Sequence, residues 1–328
     1  MSELVPYQQP GSLAANAANA VIPALVAIAG EHAARRFLEF FAATIRNKNT
    51  RVAYYNAVRR FFAWCELRGI DALERIEPLH VSLYVEELGH SFSKPTVKQH
   101  LAAVRMLFDW LVTGQVIRAN PAHAVRGPKH VVKRGTTPVL VTDQARELLE
   151  SIDTSSVVGL RDRALIGVMT YTFARVGAVT AMTVDDYSPE GRRYWLRLHE
   201  KGGKRHEMLA HHKLESYLDQ YLDAAEIRGA GRTPLFRSTV GKTGILTGLP
   251  MHRVDVWRMI RRRAADASLQ AKIGCHTFRA TGITAYLEAG GTLENAQAMA
   301  GHESPRTTKL YDRTADVITL DEVERIVL

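Results

Sequence analysis

One interruption constrains this chain more than any other feature. From Ala119 to Val139 the apolar periodicity lapses, and Pro121, Gly127, Pro128, Gly135 and Pro138 fall among Lys129, Lys133 and Arg134 with few large apolar residues other than valine. Proline removes an amide donor and clashes with a preceding helical turn, while glycine loses more backbone freedom on ordering than any other residue. Neither helix nor strand propagates easily through such a stretch, so it reads as a linker. A chain of 328 residues parted there is two domains rather than one large one. The reading assigns residues 30–127 to a first domain, 128–140 to the linker and 141–328 to a second domain.

The first domain reads as helical throughout. Phe37, Phe40 and Phe41 recur at helical spacing within His32–Ala43, and Asn49 or Thr50 is placed to cap a second helix. That helix carries Val52, Tyr55, Val58, Phe62 and Cys65 to a stop at Gly69. Val81–Leu88 and Thr96–Val112 complete a unit of four or five helices, with Phe61, Phe62 and Trp64 in its core. Ahead of it, residues 1–29 are rich in Ala, Asn and Pro and hold one charged side chain, Glu3. A segment with so little to bury is expected to be a flexible leader. Beyond the linker, Thr142 is placed to cap a helix over Asp143–Ile152, and Arg161–Thr172 forms an apolar one. Tyr194–His199 alternates with period two and Glu207–Ala210 follows it, which predicts a β-hairpin with Lys201, Lys204 and Arg205 at its tip. Helices over Leu214–Ala225, His252–Ala267, Thr277–Ala289 and Leu293–Ala300 close the domain. The fold class is mainly α with a small antiparallel sheet.

Charge and composition narrow the function. The net charge is +9, and the excess lies early: residues 30–127 hold fourteen Lys and Arg against nine Asp and Glu, and the linker adds three more cations. Such a balance favours a polyanionic partner, and Arg51, Lys94, Lys98, Arg105, Lys129, Lys133, Arg134, Lys204 and Arg205 are its candidate phosphate contacts. Of the run Arg261-Arg262-Arg263, only one or two can face one groove, because adjacent helical residues spread around the axis. The longest apolar stretch, Val21–Ala29, is broken by Pro23. It falls short of the roughly 18 residues of a membrane span and follows no basic leader, so a cytoplasmic protein without a membrane partner is expected. Two distant cysteines, Cys65 and Cys275, argue against a disulfide framework or a cysteine zinc site. His199, His206, His211 and His212 have no carboxylate or cysteine at ligand spacing, so they read as surface histidines. No metal and no cofactor is expected.

The chemistry gathers in the second domain. Cys275-His276-Thr277-Phe278-Arg279 puts His276 and Arg279 at i and i+3, on one face of a helix start. Gly301-His302 follows, then Tyr311 within Thr307-Thr308-Lys309-Leu310-Tyr311-Asp312. Upstream, Thr172-Phe173-Ala174-Arg175-Val176-Gly177 ends an apolar helix, and Lys201 sits at the hairpin tip. In this order and spacing, Arg175, Lys201, His276, Arg279, His302 and Tyr311 resemble the catalytic set of the tyrosine site-specific recombinases of the phage integrase family. The resemblance runs over residues 31–328, and the first domain, with Tyr55, Trp64, Gly69 and the segment Lys94–Trp110, resembles that family's helical core-binding domain.

The resemblance implies a two-domain DNA clamp and a set of roles. Cutting a DNA strand without metal or ATP requires a nucleophile that stores the broken linkage covalently; Tyr311 would do so as a 3′-phosphotyrosyl ester. Arg175 and Arg279 would clamp the non-bridging oxygens with paired donors. Lys201 would protonate the leaving 5′-oxygen, with Lys204 the competing choice. His276 would manage the phenol proton, and His302 would hydrogen-bond the phosphate. Tyr286 is the rival nucleophile. The implied partners are double-stranded DNA carrying paired inverted-repeat core sites, further copies of the chain in a tetramer, and accessory proteins, with the apolar tail 314–328 exchanged between protomers. The outcome would be integration, excision or resolution. One position departs: many members carry a carboxylate three residues after the first arginine, where this chain has Ala178, with Asp185 or Asp186 its candidate substitutes. Two other readings share the fold, a non-cleaving DNA-binding regulator and a strand-swivelling topoisomerase. The six polar groups oppose the first, and the apolar tail opposes the second.

Overall fold

The computed structural model describes residues 21–132, 135–199, 205–269 and 272–312. Lys133, Arg134, Lys201, Lys204 and the tail 314–328 lie outside the described residues. Two compact units divide at Val131/Val132, and each has its own core.

The first unit contains α1 (Ala24–Ile28), α2 (Glu31–Glu39), α3 (Lys48–Glu66), α4 (Pro78–Ser91) and α5 (Lys94–Thr113), with a π-helical turn at Phe40–Thr44 after α2. Its core gathers Phe37, Phe40, Phe61, Phe62, Tyr84 and Phe108, which make tilted and edge-on ring contacts, together with Leu107. Trp64 belongs to it too, its indole N–H donating to Glu87 Oε2 at 2.9 Å. Two expectations need correction. The cap of α3 is Asn47, whose side chain accepts from the backbone N–H of Asn49 and Thr50 at 3.0 and 3.1 Å; those two residues receive the cap and do not supply it. Residues 21–29 are not a free leader. Ile22, Leu25 and Val26 are buried in the core, and the Tyr55 hydroxyl both accepts from Val21 N–H and donates to Val21 C=O at 2.9 Å. A short apolar run after Pro23 forms α1 and shares one core with the phenylalanines.

The second unit runs α6 (Thr142–Glu150), α7 (Val157–Tyr171), α8 (Val176–Thr180), β1 (Tyr187–Glu190), β2 (Arg193–His199), β3 (Arg205–Leu209), α9 (His212–Ala224), β4 (Arg237–Thr239), β5 (Leu246–Pro250), α10 (Arg253–Asp266), α11 (Cys275–Glu288), α12 (Leu293–Ala300) and α13 (Pro305–Lys309). Val141, not Thr142, holds the cap position of α6. The hairpin is antiparallel, with Trp195 opposite Leu209 and His199 opposite Arg205. β1 adds to its far edge, where Pro189 is tolerated because an edge strand can leave one amide position unpaired. β4 and β5 form a second small sheet that no alternating pattern announced. The fold is mainly helical with small antiparallel sheets. Among the described residues no helix is long and apolar enough to cross a membrane.

A buried ion network ties α7 to α10. Asp162 takes two N–H groups of Arg161 on Oδ1 and two of Arg263 on Oδ2, with distances from 2.7 to 3.1 Å. Arg262 lies 3.6 Å from the same carboxylate. Of the arginine run, Arg263 is thus spent on the core, Arg262 leans on it, and Arg261 is exposed.

Candidate active site

Two helices must approach closely to build the site, and a glycine lets them. On α11, Gly282 lies one turn beyond Arg279; a Cβ there would sit 2.1 Å from the Thr170 carbonyl and 2.8 Å from the Phe173 ring. The missing side chain therefore seats α11 against the end of α7. Phe173, just past α7, adopts a left-handed backbone with φ of 54°, a conformation disfavoured for a bulky residue and held by its surroundings. Its carbonyl accepts from Arg279 Nη1, and the Ala300 carbonyl at the end of α12 accepts from Nη2 at 2.5 Å. Arg279 is 1% exposed, so its charge is anchored by two backbone dipoles from different elements.

Arg175 stands at the N-cap of α8. A cation at that end is opposed by the helix field, so its presence is not explained as an ordinary C-terminal arginine. Its charge and that of Arg279 bear on His276, His302 and Tyr311 alike.

The remaining residues are delivered by α12, a turn and α13. Gly301 ends α12 with φ of 57°, which a glycine adopts freely, and redirects the chain so that His302 faces inward. Tyr311 follows α13. Its hydroxyl lies 2.8 Å from His276 Nε2, and its ring lies parallel to that of His302, centroids 6.0 Å apart. Its carbonyl accepts from the Thr284 hydroxyl of α11 at 3.1 Å, and the preceding Leu310 carbonyl accepts from Gly135 N–H at 3.1 Å. The tyrosine thus sits beside the histidines of its own chain.

Burial and cations set the protonation. Burial, reinforced by Arg279 and Arg175, lowers the His302 imidazole to about 4 and holds His276 below the usual histidine range. Burial raises the Tyr311 phenol while the same arginines pull it down. At neutral pH the cluster therefore holds two neutral imidazoles and a phenol beside fixed positive charge, an arrangement suited to bind an anion and to accept the phenol proton.

Of the sequence-predicted residues, the structure brings together Arg175, His276, Arg279, His302 and Tyr311; Lys201 lies outside the described residues. Tyr286 instead packs edge-on against Phe173 and closes over Gly291. Ala178 is buried, and Asp186 does not stand free to replace the absent carboxylate: Oδ2 accepts from the Thr183 N–H and hydroxyl, and Oδ1 lies 3.4 Å from His199. Asp185 lies beside Gly231. His211 caps α9 and stacks on Tyr171. Among the described residues no cluster of His, Cys, Asp and Glu has metal-site geometry.

Of the candidate phosphate contacts, Arg51 spends Nε and Nη2 on the Ile45 carbonyl, and Arg105 does the same with those of Ala122 and Val125. Lys94 and Lys98 are exposed one turn apart on α5, and Arg205 is exposed at the start of β3. Lys98, Arg105 and Lys129 line one groove of the first unit together with His123 and Arg126. Sequence reasoning missed those last two, because only the folded turn after Pro121 brings them beside α5. It missed Phe173, Gly282, Thr284 and Thr308 for a similar reason: their work is done across helices.

A family model described as the phage integrase family matches residues 138–317, and one described as the phage integrase N-terminal SAM-like domain matches residues 34–117. Tyrosine recombinase XerD of Corynebacterium glutamicum is 29% identical over 293 residues, covering 84% of this chain and 91% of that protein. The fold resembles that of a lambda integrase dimer bound to a COC′ core site, with a TM-score of 0.66, 19% identity and coverage of 87% of this chain and 77% of that one. It also resembles a lambda integrase tetramer bound to a Holliday junction, with a TM-score of 0.64, 19% identity and coverage of 83% and 76%. With both of its domains accounted for, this chain belongs to the phage integrase family, the tyrosine recombinases, enzymes that cut and rejoin DNA strands.

Proposed function

We propose that Tyr311 is the nucleophile of a site-specific recombinase acting on double-stranded DNA with paired inverted-repeat core sites. The observation that carries this reading is the 2.8 Å approach of the Tyr311 hydroxyl to His276 Nε2 beside two arginine charges. The phenol passes its proton to neutral His276 as the oxygen attacks phosphorus. Arg175 and Arg279 stabilise the charge that grows on the non-bridging oxygens, and His302 donates a hydrogen bond to one of them. The bond from phosphorus to the 5′-oxygen breaks, and Lys201 supplies that oxygen with a proton. The 3′-phosphotyrosyl ester retains the energy of the linkage, so a 5′-hydroxyl from another strand can reverse the step and complete exchange.

In this reading Lys98, Lys129, His123 and Arg126 follow the phosphate backbone, and Lys94, Lys133, Arg134, Lys204 and Arg205 add to it. Arg51 and Arg105 support backbone carbonyls, each with its remaining Nη1 edge toward DNA. Four protomers act together, each tail 314–328 docking on a neighbour.

A nicked substrate that loses its 5′-hydroxyl on cleavage tests the chemistry. The wild type is expected to form a denaturation-resistant protein–DNA adduct and Tyr311→Phe none; an adduct from the phenylalanine variant would end the assignment. A chain truncated after Arg313 is expected to keep the adduct and lose paired-site synapsis; unchanged synapsis would exclude tail exchange. Absence of an adduct from the wild type would favour the non-cleaving regulator.

A further inference from the structure

Among the described residues, Thr308 is the one fully buried hydroxyl that touches the cluster through a histidine ring. It lies on α13 three residues before Tyr311 and is 0% exposed. Its side chain has a single hydrogen-bond partner among the described residues, His302 Nδ1 at 2.9 Å. The Ser304 carbonyl, one turn back, is taken by Thr307 N–H, and the Thr308 hydroxyl does not turn to it.

A buried hydroxyl carries a hydrogen that needs an acceptor, and leaving it without one costs more than the bond itself contributes. A neutral imidazole has one N–H and one acceptor nitrogen. If Nδ1 carried the proton, it would donate to Thr308 Oγ1 and leave the hydroxyl hydrogen of a fully buried side chain without an acceptor. If Nδ1 is the acceptor, the hydroxyl hydrogen and the ring nitrogen satisfy each other and the ring proton resides on Nε2. We propose that Thr308 is a positioning residue that sets the tautomer of His302, so that Nε2–H faces the phosphate as a donor. The inference rests on the reading of His302 as a phosphate donor.

Two further contacts fix the main chain that carries the ring. His302 N–H donates to the Gln297 carbonyl at 3.1 Å, and Gln297 Nε2 donates to the His302 carbonyl at 3.1 Å. The ring also lies within 7° of parallel to Tyr311. The groups facing it are Arg279, Arg175, His276 and Tyr311. Burial first, and the arginines after it, disfavour a second ring proton, so the choice is between tautomers and not between charge states. A hydroxyl is therefore required at position 308, whereas the methyl group is not.

The test uses the full-length chain. Nitrogen-15 spectra of the histidine side chains, with His302→Gln to assign the resonance, read the tautomer directly. Wild type is expected to show His302 protonated on Nε2. Thr308→Val is expected to lose that preference and to slow single-turnover cleavage of the nicked substrate by about 10-fold to 100-fold, the range typical of an orienting partner. Thr308→Ser, which restores the hydroxyl, is expected to recover most of the rate and the tautomer. A wild-type His302 protonated on Nδ1, or a folded valine variant that cleaves at the wild-type rate, would overturn the inference. Should the valine variant fail to fold, the wild-type spectrum decides. Adduct formation by Tyr311→Phe would instead bring down the underlying assignment.

Discussion

His302 and His276 share a physical situation that their sequence positions do not reveal. Each imidazole is buried beside the Tyr311 ring and faced by Arg279 and Arg175, so burial first and the arginines second make each hold its proton less tightly than a free histidine. For His276 the consequence is kinetic: its neutral, proton-accepting form persists below the ordinary value of 6.5. The acid limb of single-turnover cleavage is expected below pH 6.5, and a limb above it would show that His276 is not the base. For His302 the consequence is also thermodynamic. Its folded-state value of about 4 lies below its unfolded value, so its contribution is complete above pH 6.5 and is lost as pH falls toward 4. The loss is on the order of 3 kcal/mol. Urea unfolding at pH 7 and at pH 4.5 should therefore show a smaller difference for His302→Gln than for wild type, and equal differences would refute the account. The order Arg, Lys, His, Arg, His, Tyr was legible in the chain because residue type alone carries much of the chemistry. The Thr308 and Thr284 contacts were not, since a threonine announces neither its burial nor its partner.

Helices were the most readable elements, and their mutual approach the least. Apolar spacing placed α5, α9, α10, α11 and α12 within a few residues of where they lie. It said nothing of the contact at Gly282, where side-chain absence brings the Thr170 carbonyl and Phe173 against α11. Gly282→Ala is expected to destabilise the second unit by on the order of 3 kcal/mol. It should also displace the Phe173 carbonyl from Arg279, so cleavage should fall even at temperatures where the variant is folded. Thermal unfolding with the adduct assay checks both, and a variant as stable and active as wild type would show that the helices have room. The short strands β4 and β5 were invisible beforehand because a five-residue piece containing Gly248 and Pro250 has no alternation to read.

At the scale of the molecule, each unit buries a core of its own, and the first, though the smaller, carries slightly more than half of the cationic excess. Binding dominated by phosphate contacts releases condensed counterions, so affinity for DNA should fall by roughly 1,000-fold between about 50 and 200 mM salt. Replacing Lys98 and Lys129 together by Glu should weaken binding across sequences and lower the salt slope by about 2. A slope that the double variant leaves untouched would remove this groove from the interface. Salt titration of binding by fluorescence anisotropy measures both.

What the chain's order of residues determined was division and chemistry: where Pro and Gly forbid regular structure, which stretches repeat every 3.6 residues, and which side chains can hold a phosphate or attack it. Those properties are local, or depend only on residue type. The folded structure alone decided which groups meet. His276 and Tyr311 are 35 positions apart, and Arg279 and Phe173 are 106 apart; a pairing over such separations depends on how whole helices pack, to within the width of one missing methyl group at Gly282.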